Sequence, residues 1–187
     1  MTKIAADLQT IAPGINYKTV SRYTGILERL FAVEAIPPWS GSLKNRANLR
    51  RSPKYVLADP SLATAVLRAT PPALFADLQT AGFIFEATVL HDLAVTVEAL
   101  GGSLNHFLDS NGNVIDAILT LPDERWATIE VKLGGGAAEA AALKLPRVSQ
   151  SIDTTKQPAF MAVFTGTGLT RKFENGVITF PLAALAP

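Results

Sequence analysis

Apolar residues near the start of the chain recur every three or four positions, the spacing of an amphipathic helix. This spacing predicts one helix over residues 3–10 and a second over residues 17–31. The Ala-Pro-Gly triplet at 12–14 separates them, because proline and glycine disfavour a continuous helix. Asn16 is a residue type that often caps a helix, so we expect the second helix to begin directly after it.

Two short apolar stretches follow and predict β-strands over residues 32–36 and 54–58. Helix, tight turn, helix and two strands are the order of elements in a winged helix-turn-helix domain, which we predict for residues 1–60. The segment between the two strands would then form the long wing.

The pattern changes in the second part of the chain, residues 61–187. A predicted helix over residues 62–70 ends at Pro71, and a longer helix spans residues 82–100. Three antiparallel strands, a helix over residues 137–145 ended by Pro146, a buried strand and a hairpin follow. The predicted strands are 103–108, 114–121, 125–133, 159–165, 170–173 and 177–182. This order predicts an α/β fold with a mixed central sheet flanked by helices.

Charged residues interrupt the second and third of these strands. If the turn between them centres on Asp123, Asp116 faces Glu130, and like charges placed so repel each other. Lys132 follows Glu130 by two positions and therefore projects from the same face. A divalent cation between the carboxylates would remove the repulsion. A surface ion-pair ladder, in which Lys132 offsets Glu130, is the alternative explanation.

Glu86 lies beside the apolar stripe of the predicted helix over residues 82–100. Burying a lone carboxylate is costly, so Glu86 either reaches water at the edge of the stripe or has a partner inside the fold. An inward Glu86 would be a third acidic ligand beside Asp116 and Glu130.

Composition narrows the classes of site that the chain can contain. The 187 residues are 48% hydrophobic and 18% charged, which is typical of a globular protein with a substantial core. No uninterrupted apolar run approaches 18 residues, so no transmembrane helix is expected. The absence of cysteine excludes disulfides and thiolate metal sites and is compatible with a cytoplasmic location. With two histidines, a histidine-based zinc or serine–histidine site has few candidates.

The net charge of +1 hides an asymmetry between the two parts of the chain. Residues 1–60 contain 9 Lys and Arg against 4 Asp and Glu, whereas residues 61–187 contain 8 against 12. Such a split is found where a nucleic-acid-facing module is joined to another. The candidate nucleic-acid-binding residues lie on the second helix and in the segment between the two N-terminal strands: Lys18, Arg22, Lys44, Arg46, Arg50 and Arg51. A solvated helix face and a loop that contacts a protein partner are the alternatives.

An aspartate on one strand followed by Glu-x-Lys on the next resembles the PD-(D/E)XK nuclease superfamily, with Asp116 and Glu130-Val131-Lys132 as the matching residues. Over residues 3–180 the chain also resembles the C-terminal half of a family of prokaryotic AAA-type ATPases, a winged helix followed by a restriction-endonuclease-like domain. The stretches that carry this closer resemblance are residues 15–23, 30–39, 51–55 and 82–86. The chain has no P-loop, with which such ATPases begin.

The resemblance implies a restriction-endonuclease-like fold and a Mg²⁺ or Mn²⁺ site formed by Asp116, Glu130 and Glu86, with the Val131 carbonyl. It implies a catalytic role for Lys132, DNA as substrate and an ATPase domain as a partner. The leading hypothesis is metal-dependent phosphodiester hydrolysis. The alternative is a catalytically silent module that binds DNA or docks an ATPase domain.

Overall fold

The computed structural model describes residues 2–39, 52–109, 111–152, 154 and 156–185. The N-terminal part contains two helices and a two-stranded antiparallel sheet: α1 (Thr2–Gln9), α2 (Tyr17–Arg29), β1 (Val33–Ile36) and β2 (Lys54–Leu57). The predicted cap is confirmed, since the Asn16 side chain accepts a hydrogen bond from the Thr19 amide at 3.0 Å. The four basic positions predicted for the wing, Lys44, Arg46, Arg50 and Arg51, lie outside the described residues.

Three helices follow: α3 (Ser61–Leu67), α4 (Pro71–Ala76) and α5 (Leu78–Ala99). The prediction missed α4, because Pro71 and Pro72 stand at its first turn and begin a helix there instead of only ending the previous one. Proline suits this position, since the first amides of a helix have no intrahelical acceptor to lose. By length and composition α5 would be able to cross a membrane, but core helices pass the same test, and four of its residues are buried.

The remaining elements form a six-stranded mixed sheet. Its strands are β3 (Ser103–Leu108), β4 (Val114–Thr120), β5 (Trp126–Lys132), β6 (Phe160–Thr165), β7 (Arg171–Lys172) and β8 (Ile178–Pro181), in the spatial order β3-β4-β5-β6-β8-β7. The first three strands form an antiparallel meander, and helix α6 (Gly135–Gln150) connects β5 to the parallel strand β6. A 3₁₀ turn, Leu182–Ala184, follows β8. The predicted α/β architecture with a mixed sheet flanked by helices is confirmed.

The predicted end of α6 at Pro146 is wrong, because the helix continues through this proline to Gln150. Proline lacks the amide that would bond the carbonyl four residues earlier, that of Ala142. The side-chain amide of Asn175 donates to that carbonyl at 3.0 Å and replaces the missing bond. Burial of Val148 and Ser149 beyond the proline favours continuation of the helix.

The two faces of the sheet bury separate apolar clusters. Helix α5 covers one face, where Leu90 and Val97 pack with Ile129 and Phe164. Helix α6 covers the other face, where its cluster includes Ala138, Ala142, Leu145, Ile118 and Val163. Side chains of a strand alternate between faces, so neighbouring residues of β5 belong to different clusters.

The hairpin of β1 and β2 packs onto the α5 side of the sheet and shares its core. Ile36 and Val56 belong to the α5-side cluster. After β1 the chain runs beside β3, where the His106 amide donates to the Pro37 carbonyl at 3.0 Å and the Trp39 amide donates to the His106 carbonyl at 2.7 Å. These bonds fix the hairpin against the edge of the sheet. The domain division at residue 60 stays a prediction.

Candidate metal and phosphodiester site

The β4–β5 hairpin has the predicted register. Ala117 is opposite Ile129 and Thr120 is opposite Trp126, which confirms a turn centred on Asp123. The backbone ladder ends at the first of these pairs. Beyond it, the Val131 amide donates to Asp116 Oδ2 at 2.9 Å, so a carboxylate occupies the space between the two strands.

A β-bulge lies at the same point of β4, in its pairing with β3. The pairing with β3 changes offset between Phe107–Ile115 and Asn105–Ile118, so Asp116 and Ala117 together take the place opposite His106. A bulge bends its strand and changes the direction of a side chain, and bulges are common beside functional sites. The sequence pattern did not predict this one.

Lys132 brings the predicted residues together. Its ammonium lies 2.5 Å from Glu130 Oε2, 3.1 Å from Asp116 Oδ2 and 2.9 Å from the Val131 carbonyl oxygen. An ammonium has three N–H donors, and each finds an acceptor here. Asp116 is buried, whereas Glu130 and Lys132 are partly exposed. The three acceptors are the Asp116, Glu130 and Val131 groups that the family resemblance implies as metal ligands.

Glu86 is partly exposed on α5, and its direct partner is Lys54 of β2, which donates to Glu86 Oε1. The same ammonium lies 3.9 Å from Asp116 Oδ1. Glu86 is therefore connected to the Asp116–Glu130 pair through Lys54. Sequence reasoning did not identify Lys54 as a site residue. The signal was present: a glutamate beside the apolar stripe of a core helix needs a cation, and Lys54 begins a strand that packs on that helix.

Burial and charge move the two central carboxyl groups in opposite directions. Burial is the largest influence on Glu130 and, with the negative charge of Asp116, raises its pKa to about 7, although Lys132 partly offsets the rise. Burial also acts to raise the pKa of Asp116, but the ammonium groups of Lys132 and Lys54 and the Val131 amide outweigh it and hold that pKa below its usual value. The pKa of Lys132 is raised, because its burial is outweighed by the charges of Asp116 and Glu130. Asp116 is thus the permanent anion, and Glu130 titrates near neutrality.

An open cleft of about 450 Å³ leads to these residues between the sheet and α6. Asp116, Glu130 and Lys132 line one wall. The α6 wall is formed by Ala137, Ala140, Ala141, Lys144, Leu145 and Val148. Alanine side chains leave room beside the strands, and the exposed Lys144 adds a cation at a distance along the cleft.

The donor set fits a hard divalent cation. Two carboxylates and a backbone carbonyl are the oxygen ligands that Mg²⁺ and Mn²⁺ prefer. Among the residues that the structure describes, no group of three or more His, Cys, Asp or Glu side chains is close enough to hold a metal. A cation would therefore rely on the pair Asp116 and Glu130 and the carbonyl, with water completing the shell, and Lys132 would have to leave its acceptors.

The described candidates for nucleic-acid binding, Lys18 and Arg22, are both exposed on α2. The Arg22 guanidinium lies 5.3 Å from the centre of the Tyr23 ring. Their exposure fits either a nucleic-acid contact or a solvated helix face.

Residues 1–73 match a family described as Domain of unknown function (DUF8612). The match covers 73 of the 187 residues and contains Lys54, while Glu86, Asp116, Glu130 and Lys132 lie beyond it. Neither the curated proteins nor the solved structures gave a match.

Proposed function

We propose that the protein is a metal-dependent nuclease of the PD-(D/E)XK type, with a restriction-endonuclease-like sheet and an N-terminal winged helix that holds DNA. The observation that carries the proposal is the cation position in the cleft. The Lys132 ammonium binds Asp116, Glu130 and the Val131 carbonyl together. All three are hard oxygen donors, and Asp116 and Glu130 line one wall of an open cleft.

The charges of the site support a divalent cation and an anionic substrate. With all groups ionised, Asp116, Glu130 and Glu86 contribute −3 and Lys54 and Lys132 contribute +2, a net charge of −1. A divalent cation would change the net charge to +1, which is complementary to the single charge of a phosphodiester. Burial is the main cause of the raised pKa of Glu130, and the negative charge of Asp116 adds to it.

Each residue of the proposed site then has a distinct role. A bound Mg²⁺ or Mn²⁺ would lower the pKa of a coordinated water and would stabilise charge on the phosphate. Asp116 and Glu130 bind that cation through their carboxylate oxygens. Lys132, released from these acceptors, orients the attacking water or stabilises charge that develops on the phosphate. Lys144 binds a neighbouring phosphate along the cleft.

In this proposal, the α2 helix and the N-terminal hairpin bind the DNA. Lys18 and Arg22 are exposed on α2, and the segment with Lys44, Arg46, Arg50 and Arg51 follows β1 in the sequence. Phosphate contacts of this kind bind with strong salt dependence and little sequence preference. Weakening of DNA binding on raising the salt concentration is therefore expected.

The test is cleavage of DNA with Mg²⁺ or Mn²⁺ by the wild type, Lys132→Ala and Lys172→Ala. Lys172 is exposed on β7 and serves as the matched control. We expect Lys132→Ala to lose at least about 100-fold in rate, since it removes a group that acts on the developing charge, and Lys172→Ala to keep the wild-type rate. Equal rates for the wild type and Lys132→Ala, or no cleavage with any metal, would overturn the assignment.

A second candidate function is a silent module that docks a protein partner such as an ATPase domain. Large apolar side chains on and beside the N-terminal helices favour it, since Ile11 is 82%, Leu30 68% and Phe31 85% exposed. Where such side chains form one contiguous patch, they mark an interaction site. This candidate predicts neither cleavage nor DNA affinity at physiological salt, and a DNA titration at that salt distinguishes the two.

A further inference from the structure

Lys54 reaches the candidate site from a different part of the chain than the other site residues. It is the first residue of β2 and pairs with Ile36 at the end of β1. The next residues, Pro37 to Trp39, bond to His106 of β3, which lies opposite the bulge at Asp116. A continuous backbone path therefore fixes the base of Lys54 relative to Asp116.

The two lysines contact different oxygens of one aspartate. Lys132 binds Asp116 Oδ2, while Lys54 lies 3.9 Å from Oδ1 and donates to Glu86. The side chain of Lys54 is 27% exposed, that of Glu86 24% and that of Asp116 12%, so solvent screens these charges only in part. Lys132 belongs to the strand that carries the ligand Glu130. Lys54 is held by the N-terminal hairpin.

We propose that Lys54 is a positioning residue through which the N-terminal hairpin sets the affinity of Asp116 and Glu130 for a divalent cation. The inference rests on the proposed function, because it concerns the same site. Lys54 holds the Glu86 carboxylate beside the hairpin, and its charge repels a cation at Asp116. Docking of the hairpin therefore weakens metal binding.

The charges predict opposite signs for two single substitutions. Lys54→Met removes a positive charge near the cation, so Mn²⁺ binds about tenfold more tightly, the size expected for a unit charge at this range in a solvent-screened site. Glu86→Gln leaves Lys54 without its anion, so Mn²⁺ binds about tenfold more weakly. The double variant restores the net charge of −1 and returns close to the wild-type affinity.

Lys54→Arg is the matched control, because it keeps the charge and the ability to donate to Glu86. Its Mn²⁺ affinity stays within about twofold of the wild type. A merely structural role for Lys54 predicts the reverse order, in which Lys54→Met loosens the hairpin and weakens metal binding while the charge-neutral double variant is weaker still.

If docking of the hairpin weakens metal binding, metal binding must weaken docking of the hairpin by the same free energy. The coupling can therefore also be measured in the hairpin. Saturating Mn²⁺ accelerates hydrogen exchange of the β1 and β2 amides in the wild type, because the cation competes with Lys54 for Asp116. In Lys54→Met the same addition leaves these amides unchanged.

The experiment is calorimetric titration of the four proteins with Mn²⁺, with Lys54→Arg as control and urea unfolding to establish that each variant is folded. Tighter binding by Lys54→Met, weaker binding by Glu86→Gln and recovery in the double variant support the proposal. Mn²⁺ binding by the wild type with Lys54→Met unchanged or weaker overturns it and leaves the metal site standing. If Lys54→Met does not fold, unchanged Mn²⁺ binding by Glu86→Gln is by itself sufficient to overturn the proposal. No Mn²⁺ binding by the wild type overturns the proposed metal site and the inference with it.

Discussion

The β4–β5 hairpin has two halves that differ in regularity and in content. From the turn to the Ala117–Ile129 pair the ladder is continuous and the residues Ile118, Ala127 and Ile129 are buried. Beyond this pair the backbone ladder stops, a bulge re-aims Asp116, and lysine and carboxylate side chains bridge the strands.

The difference shows how one supersecondary element stabilises the fold and also presents charge. The regular half gains stability from apolar burial on both faces of the sheet, which does not depend on pH or metal. The irregular half buries Glu130 beside Asp116, and the burial, with the negative charge of Asp116, raises the pKa of Glu130. We therefore expect substitutions in the regular half to change stability, and substitutions in the irregular half to change metal binding.

The largest effect is expected from the regular half. Ile129→Ala removes a fully buried side chain between α5 and the sheet and destabilises the protein by about 2–5 kcal/mol. Urea unfolding measures the change. Leu169→Ala, at a side chain that is 91% exposed, is the control and changes stability by less than about 0.5 kcal/mol. Equal effects of the two substitutions would contradict the assignment of Ile129 to the core.

In the irregular half, Asp116→Asn keeps the size of the side chain and removes its charge. We expect it to weaken Mn²⁺ binding about 100-fold, equivalent to about 2.7 kcal/mol, because one of the two proposed carboxylate ligands is lost. Stability falls less, by about 1–2 kcal/mol, since the hydrogen bond to the Val131 amide becomes weaker. Calorimetry and urea unfolding measure both quantities. A large loss of stability with unchanged Mn²⁺ affinity would reverse the comparison.

The next largest effect is a dependence of stability on pH, which we expect from the carboxyl groups of the irregular half and not from the apolar residues of the regular half. Glu130 has a pKa of about 7 in the folded protein and about 4.3 in the unfolded chain. Its contribution to the free energy of unfolding is therefore complete below the lower value and is lost as the pH rises through about 7. Asp116, with its lowered pKa, contributes above its unfolded value and loses this contribution on acidification, outside the range of pH 5 to 8.

Between pH 5 and 8 the metal-free protein should therefore lose on the order of 2 kcal/mol of its free energy of unfolding. Urea unfolding across this range measures the slope. Glu130→Gln is the control and removes most of it. A flat profile for the wild type, or an equal slope in the variant, would show that Glu130 does not have the expected pKa.

The smallest effect is expected at the turn. Glu124 has a φ of +65°, a left-handed conformation that is unfavourable for residues other than glycine. Glu124→Gly relieves this strain but adds freedom to the unfolded chain, and the surface ion pair to Lys156 that it loses is worth little. We expect a gain of about 0.5 kcal/mol with unchanged Mn²⁺ affinity. A loss above about 1 kcal/mol would mean that the ion pair matters more than the backbone conformation.

Local patterns were sufficient for much of this fold. The Asn16 cap depends on a residue three positions away, and the β4–β5 register depends on a turn centred on Asp123. Both therefore follow from neighbouring sequence. The placement of Glu130 and Lys132 on one side of β5 follows from strand alternation in the same way.

The rest depended on contacts between distant segments. Lys54 approaches Asp116 only because the hairpin docks on β3 through Pro37 and His106, and no periodicity encodes that docking. The two errors at prolines have the same origin. Pro71 begins a helix, and Pro146 is tolerated because Asn175 supplies a donor from 33 positions away. Proline changes what the backbone can bond locally, and tertiary partners decide whether the helix continues.

The hydrogen bond between Asn175 and the Ala142 carbonyl also has a consequence for the order of folding during synthesis. During synthesis the last turns of α6 leave the ribosome well before residue 175 does, so α6 first forms with one carbonyl that only solvent can satisfy. Lys144 and Val148 line the cleft on this helix, and we expect this wall to take its final form only when Asn175, in the β7–β8 hairpin, donates to the Ala142 carbonyl. The cleft is therefore expected to mature late, after almost the whole sheet has been made.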